Sequence, residues 1–169
     1  MIKNLGRPSQ RMKQLLLGFV LLGSLSACTS TPLAPETQPG PNFLARNAAA
    51  KGVVTTPSGL QYFVVRSGAA AGRQPAQGDT VVFDYEGKLV TGETFDSSYA
   101  RGQPISGAVG DFVPGFNEAL MMMRPGDEWI VWIPPELGYG DAATGTIPPN
   151  SVLRFKMELR DALPAPPST

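Results

Sequence analysis

The stretch Pro114-Gly115-Phe116-Asn117-Glu118-Ala119-Leu120-Met121-Met122-Met123-Arg124-Pro125-Gly126-Asp127-Glu128-Trp129-Ile130-Val131-Trp132-Ile133 changes its periodicity halfway. In its first half Phe116, Ala119, Leu120 and Met123 recur at i, i+3, i+4 and i+7, one apolar stripe of an α-helix. Pro114 suits the first helical position, where its missing N–H is not needed. Arg124-Pro125-Gly126 stops the helix. Glu128–Ile133 then reads as a strand, apolar on both faces and so expected at the centre of a sheet. A helix with one apolar stripe must bury it, and the flanking segments supply the surface.

Those segments read as strands. Leu60 to Arg66 is a β-rich run ended by Ser67-Gly68, and Gly78-Asp79 turns the chain into Thr80–Val90. There Val81, Phe83 and Tyr85 share one face while Asp84 and Glu86 share the other. Thr91-Gly92 is a hairpin signal that returns the chain through Thr94-Phe95-Asp96. Val152–Arg160 alternates, with Leu153, Phe155, Met157 and Leu159 inward and Arg154, Lys156, Glu158 and Arg160 outward. The predicted fold class is α+β, an antiparallel β-sheet wrapped around one short α-helix. No internal repeat is visible.

Composition narrows the chemistry. With no histidine and one cysteine, the chain holds neither a structural zinc site nor a Ser-His-Asp or Cys-His nucleophile, and nothing in it calls for a metal or cofactor. Lys3, Arg7, Arg11 and Lys13 are the only charges in the first 27 residues, so the remainder has 10 basic and 14 acidic groups. A net −4 domain argues against nucleic acid as the partner, because phosphate binding needs a basic patch. Nineteen glycines and seventeen prolines fit many turns and short strands.

The amino terminus reads as an address. A basic segment precedes the apolar run Leu15–Leu25, and Ser26-Ala27 lead into Cys28. The run is shorter than the about 20 residues that span a bilayer. Leu25-Ser26-Ala27-Cys28 resembles the bacterial lipobox, which implies a signal peptide over residues 1–27 and acylation of Cys28. The alternative is a plain signal peptide with a chance cysteine. Thr29, rather than aspartate, follows Cys28, and for lipoproteins of this kind that implies the periplasmic face of the outer membrane. Residues 28–57 read as a Thr/Pro/Gly-rich tether with a short helix at 42–51, capped by Asn42 and stopped by Gly52. Residues 58–163 form the folded domain and 164–169 a flexible tail.

Large aromatics cluster in that domain: Tyr85, Phe95, Phe112, Phe116, Trp129, Tyr139 and Phe155. They are punctuated by Phe95-Asp96-Ser97-Ser98, Val113-Pro114-Gly115-Phe116, Pro134-Pro135-Glu136-Leu137-Gly138-Tyr139-Gly140 and Ile147-Pro148-Pro149-Asn150. An apolar pocket with one carboxylate handle fits this set. Each residue also has a plainer reading: inward aromatics as core, Asp96-Ser97-Ser98 as a turn or helix cap, Tyr139 as a turn residue. Trp129 and Trp132 read as core and sheet surface. Met121–Met123 could make a sticky surface, although helix packing explains Met123.

In this order the motifs resemble the FKBP-type peptidyl-prolyl cis-trans isomerases. The likeness is to the bacterial secreted subgroup of macrophage infectivity potentiator, FkpA and FklB types, and runs from about Phe43 to Leu159. Thr56-Pro57-Ser58-Gly59-Leu60-Gln61-Tyr62 adds to the motifs above. The resemblance implies catalytic roles for Tyr85, Asp96 and Tyr139. It implies substrate contacts from Phe95, Ile105, Phe112, Val113, Phe116, Ile147 and Phe155. It also implies proline-containing clients, macrolide inhibitors, no cofactor and, lacking the subgroup's long helical dimerisation region, a monomer. Phe116 stands where the family has a tryptophan floor, Phe112-Val113 where it has Val-Ile, and Ile105 and Gly107 where many members have aromatics. These departures leave open a second reading, a weakly or non-catalytic chaperone or binding module of the cell envelope.

Overall fold

Alternating burial draws the strands into one antiparallel sheet. The computed structural model describes residues 42–69 and 72–165. The signal-like segment, Cys28, the tether up to Pro41 and the end of the tail lie outside the described residues. In chain order the elements are α1 (Phe43–Ala48), β1 (Val54–Thr55), β2 (Gln61–Arg66), β3 (Thr80–Leu89), β4 (Thr94–Ser97) and α2 (Ser98–Arg101). They continue with β5 (Ile105–Ala108), α3 (Pro114–Met122), β6 (Glu128–Ile133), a 3-10 turn (Pro135–Leu137) and β7 (Leu153–Leu163). The strand order is β1-β2-β6-β7-β3-β4, with β5 also pairing β3.

The inner face buries Val81 and Phe83 of β3, Val131 and Ile133 of β6, and Leu153, Phe155, Met157 and Leu159 of β7. Against them α3 lays Phe116, Ala119 and Leu120, with Met123 just beyond its end, the stripe expected from the sequence. A side chain's Cβ at Gly115 would stand 2.6 Å from Ile133 Cγ2, so the glycine sets how closely α3 approaches β6. The register of β3 on β7 slips between Val82 and Phe83, leaving Arg160 unpaired in the ladder. Arg160 ion-pairs Asp84, and Asp84 also accepts a 2.8 Å hydrogen bond from the Ser98 hydroxyl of α2. Asp84, on the face opposite Tyr85, is therefore buried.

Two expectations need correction. The helix at 42–51 is shorter, Phe43–Ala48, and the Asn42 side chain makes no cap hydrogen bond. It holds because it docks: Phe43 is buried, and Asn47 Nδ2 donates to Gln61 Oε1 (2.8 Å) while Gln61 Nε2 donates to the Leu44 carbonyl (2.8 Å). Strand β6 lies inside the sheet as expected, but its burial alternates, Trp129, Val131 and Ile133 being buried and Ile130 and Trp132 half-buried. Its residues on the outer face thus keep partial access to solvent. The principal helix expected from Pro114 is α3 and the short helix ahead of the domain is α1, while α2, at four residues, is too short to show a 3.6-residue period in the sequence.

Candidate active site

A cavity of about 510 Å³ opens beside the first turn of α3. Its wall contains Tyr85, Phe95, Asp96, Ile105, Phe112, Val113, Phe116, Tyr139, Ile147 and Phe155, so all ten residues named from the sequence meet at one place. Phe83, Asp111 and Thr144–Thr146 join them, and these the sequence reading missed. Phe83 was visible as an inward residue two positions before Tyr85. Asp111 and the threonine-rich loop carry no periodic signal.

The sheet presents most of this wall. Tyr85 (β3) and Phe155 (β7) come from adjacent strands, and Phe95 and Asp96 return on β4 after the hairpin at Thr91-Gly92. Gly87 stands opposite both Asp96 and Phe155 in the ladders. A Cβ there would lie 2.5 Å from the Phe95 ring and 2.8 Å from the Phe155 ring. The glycine thus lets Phe95 and Phe155 meet edge to face at 5.5 Å across the strand.

Phe116 is the floor. Its ring centre lies 5.1 Å from Phe155, 5.2 Å from Phe83, 5.3 Å from Phe112 and 6.0 Å from Tyr85. It is only 4 % exposed, so it packs as core while also forming part of the cavity wall. Phe112 stands edge-on to Phe83 at 5.3 Å and reaches over Gly107.

One corner is polar. The Tyr85 hydroxyl donates to Asp96 Oδ2, the Arg101 guanidinium donates to Asp96 Oδ1, and Arg101 Nη2 lies 3.1 Å from the tyrosine oxygen. The Ser97 amide adds a 2.8 Å bond to Asp96 Oδ1. Burial works to raise the Asp96 carboxyl, but these three donors outweigh it and hold the group below the usual carboxylate range. Burial, then the Asp96 hydrogen bond, pushes the Tyr85 hydroxyl up. The corner therefore keeps an ionised carboxylate beside a protonated phenol. Ser97 also caps α2, accepting from the Ala100 amide at 3.3 Å, so the cap reading of this cluster is correct alongside the cavity position of Asp96. Arg101 was not anticipated. Its signal is the short helix that Ser97 starts, which brings a residue five positions on back over Asp96.

The loop before α3 is strapped from the helix. Asn117 Oδ1 accepts from the Gly110 amide (2.8 Å) and Nδ2 donates to the Phe112 carbonyl (2.6 Å), which fixes the segment carrying Asp111, Phe112 and Val113. On the far side Tyr139 follows the 3-10 turn and is 38 % exposed. The Thr144–Ile147 bridge, with bonds of 3.1 and 2.9 Å, closes the loop that places Ile147 on the wall. Trp129 stands apart, stacked on Tyr62 at 4.5 Å. Among the described residues no three histidine, cysteine or carboxylate side chains converge as a metal site.

An aromatic cavity with this polar corner, set in a sheet wrapped on one principal helix, defines the class. The profile described as "FKBP-type peptidyl-prolyl cis-trans isomerase" matches residues 71–160, more than half the chain. The profile described as "Domain amino terminal to FKBP-type peptidyl-prolyl isomerase" matches residues 25–64, the segment read above as tether, α1 and the first strands. The chain belongs to the FKBP-type peptidyl-prolyl cis-trans isomerase family. It is 40% identical over 159 residues to the isomerase FkpA of Escherichia coli strain K12, covering 93% of this chain and 58% of that protein. To the peptidyl-prolyl cis-trans isomerase Mip of Coxiella burnetii it is 44% identical over 118 residues, 69% of this chain and 50% of the relative. The outer membrane protein MIP of Legionella longbeachae is 37% identical over 89% of this chain and 65% of its own length. The crystal structure of Escherichia coli FkpA superposes with a TM-score of 0.70 at 44% identity, over 74% of this chain and 58% of that one. The chain thus spans less than two thirds of the length of these relatives.

Proposed function

We propose that this protein accelerates cis/trans rotation about X-Pro bonds in folding polypeptides of the bacterial cell envelope. The observation that carries the reading is the convergence of ten residues, named from sequence alone, on one cavity. Rotation about a peptide bond costs about 18–20 kcal/mol because resonance must be broken. The twisted amide has less charge separation than the planar one, so a dry apolar site stabilises it relative to water without nucleophile or base. Phe116, Phe155, Phe112, Val113 and Tyr85 seat the proline ring, with Phe95, Ile105 and Ile147 completing the apolar wall. The Tyr139 hydroxyl and the Val113 amide hold the substrate carbonyls. Asp96 polarises the corner and, through Tyr85 and Arg101, keeps it in register.

The same reading gives Cys28 a lipid anchor and Thr29–Pro41 the role of a tether. Several acyl chains, each buried CH₂ contributing about 0.8 kcal/mol, hold the domain at the periplasmic face of the outer membrane. One relative's name, outer membrane protein MIP, supports that address. No helix of the described residues is long and apolar enough to cross a membrane. The domain works as a monomer, and macrolides that mimic a proline segment bind in the same cavity. Exchange spectroscopy on a short X-Pro peptide tests the activity. Palmitate labelling of wild type and Cys28→Ala tests the anchor, which requires label on the first and none on the second.

A further inference from the structure

Among the described residues two that carry charge line the cavity, Asp96 and Asp111, and both are carboxylates. They differ in what they face. Asp96 is ion-paired with Arg101 and hydrogen-bonded by Tyr85 and Ser97. Asp111 is exposed and, among the described residues, has no ion pair within 4.0 Å. Its Oδ2 accepts from the Ala108 amide at 3.1 Å, and its own amide donates to the Ala108 carbonyl at 3.0 Å. Those bonds close a turn and fix where the carboxylate sits. They leave Oδ1 with no partner among the described residues and the charge uncompensated.

The position is held rigidly for a loop. Gly110 on one side and Phe112 on the other are both bonded to the Asn117 side chain, which is 9 % exposed. Asp111 is thus carried on a strapped segment at the edge of an apolar cavity, and among the described residues no lysine or arginine lines that cavity. Turn closure alone does not ask for a full charge, since an asparagine oxygen accepts the same amide bond.

We propose that Asp111 is a specificity-determining residue, selecting proline segments that carry lysine or arginine next to the proline and disfavouring those that carry aspartate or glutamate. The proposal rests on the isomerase reading above. A cation on a residue flanking the bound proline ring meets an uncompensated carboxylate at the rim, whereas an anion is repelled. Because Asp111 is exposed, the selection is modest and screened by salt.

The test uses a matched series of short peptides in which the residue before or after proline is lysine, glutamine or glutamate. Magnetisation-exchange NMR gives kcat/KM for each, at low and high ionic strength, with wild type, Asp111→Asn and Asp111→Lys. Wild type is expected to favour lysine over glutamate by about threefold to tenfold at low salt, falling below about twofold at high salt. The ratio should approach one in Asp111→Asn and invert in Asp111→Lys. Catalysis of the glutamine peptide with equal rates on the lysine and glutamate peptides overturns the Asp111 proposal alone. So does a preference that survives in Asp111→Asn. Absence of catalysis on all peptides overturns the isomerase reading itself, and this proposal with it.

Discussion

The Phe112 ring fills the space that a side chain at Gly107 would need: a Cβ at position 107 would stand 2.8 Å from Phe112 Cζ. The resemblance drawn from the sequence implies an aromatic near position 107 and a smaller valine where this chain has Phe112. The two departures therefore offset each other, one aromatic reaching into the site from the loop in place of one reaching from strand β5. Gly107→Phe should displace Phe112, lower stability by about 1–3 kcal/mol and reduce turnover. Combined with Phe112→Val it should recover most of both. Urea unfolding of the two single variants and the double variant measures the coupling, and additive effects would contradict the account.

The same crowding explains the floor. Phe116 has four aromatic neighbours with ring centres between 5.1 and 6.0 Å, so a larger indole has little room. Phe116→Trp should cost about 1–3 kcal/mol through overpacking, and Phe112→Val in the same chain should relieve it. Chemical denaturation midpoints decide this. A stabilised Phe116→Trp single variant would show that the floor is underpacked.

Asn117 ties the loop to the helix through two hydrogen bonds, so its removal leaves a Gly110 donor and a Phe112 acceptor unpaired. Asn117→Ala should destabilise by about 1–3 kcal/mol and raise KM more than it lowers kcat. Asn117→Asp keeps the acceptor for Gly110 and should fall between. Amide hydrogen exchange at Gly110 should quicken in the alanine variant far more than at Val131 in the core. Unchanged exchange at Gly110 would remove the strap from the account.

Two carboxylates, Asp79 and Asp96, are held below their ordinary pKa. Asp79 accepts from the Ala76 and Ala165 amides and pairs with Arg73, and Asp96 is held as described above. A depressed folded-state pKa contributes stability that is complete above the unfolded value, ordinarily 3.8 for these groups, and is lost as pH falls through the folded value. Thermal unfolding should therefore move to lower temperature below about pH 4, with Asp79→Asn and Asp96→Asn flattening the decline. Turnover should be level between about pH 6 and 9, where Asp96 stays ionised and the raised Tyr85 hydroxyl stays protonated. A bell-shaped profile inside that window would point to a general acid or base instead.

Most of this site was legible because it lies on elements with a strong period. Tyr85 and Phe155 sit at inward positions of strands, and Phe116 heads the stripe of α3, so pattern and motif agreed on them. Arg101, Asn117 and Asp111 were not legible. Arg101 acts from a four-residue helix, Asn117 points its amide sideways from α3 into a loop, and Asp111 sits in a turn; none of these placements repeats along the chain. The packing role of the glycines at 87 and 107 escaped for a related reason, although Gly107 stood out as a missing aromatic. Their role is to be absent space for Phe95, Phe155 and Phe112, and absent space leaves no pattern in one sequence. The helix at 42–51 came out too long at its far end, stopping at Ala48 with Ala49 as its cap instead of running to Gly52, and the segment is held by the buried Asn47–Gln61 pair.

The central claim is that the cavity speeds X-Pro rotation, which unaided takes tens to hundreds of seconds. Exchange NMR on a neutral X-Pro peptide, with catalytic amounts of protein, measures this directly. Wild type should raise the exchange rate well above buffer, and a folded Asp96→Ala variant should lose about tenfold, equivalent to about 1.4 kcal/mol at the transition state. Exchange by the folded wild-type protein at the buffer rate would contradict the account and leave a binding module in its place.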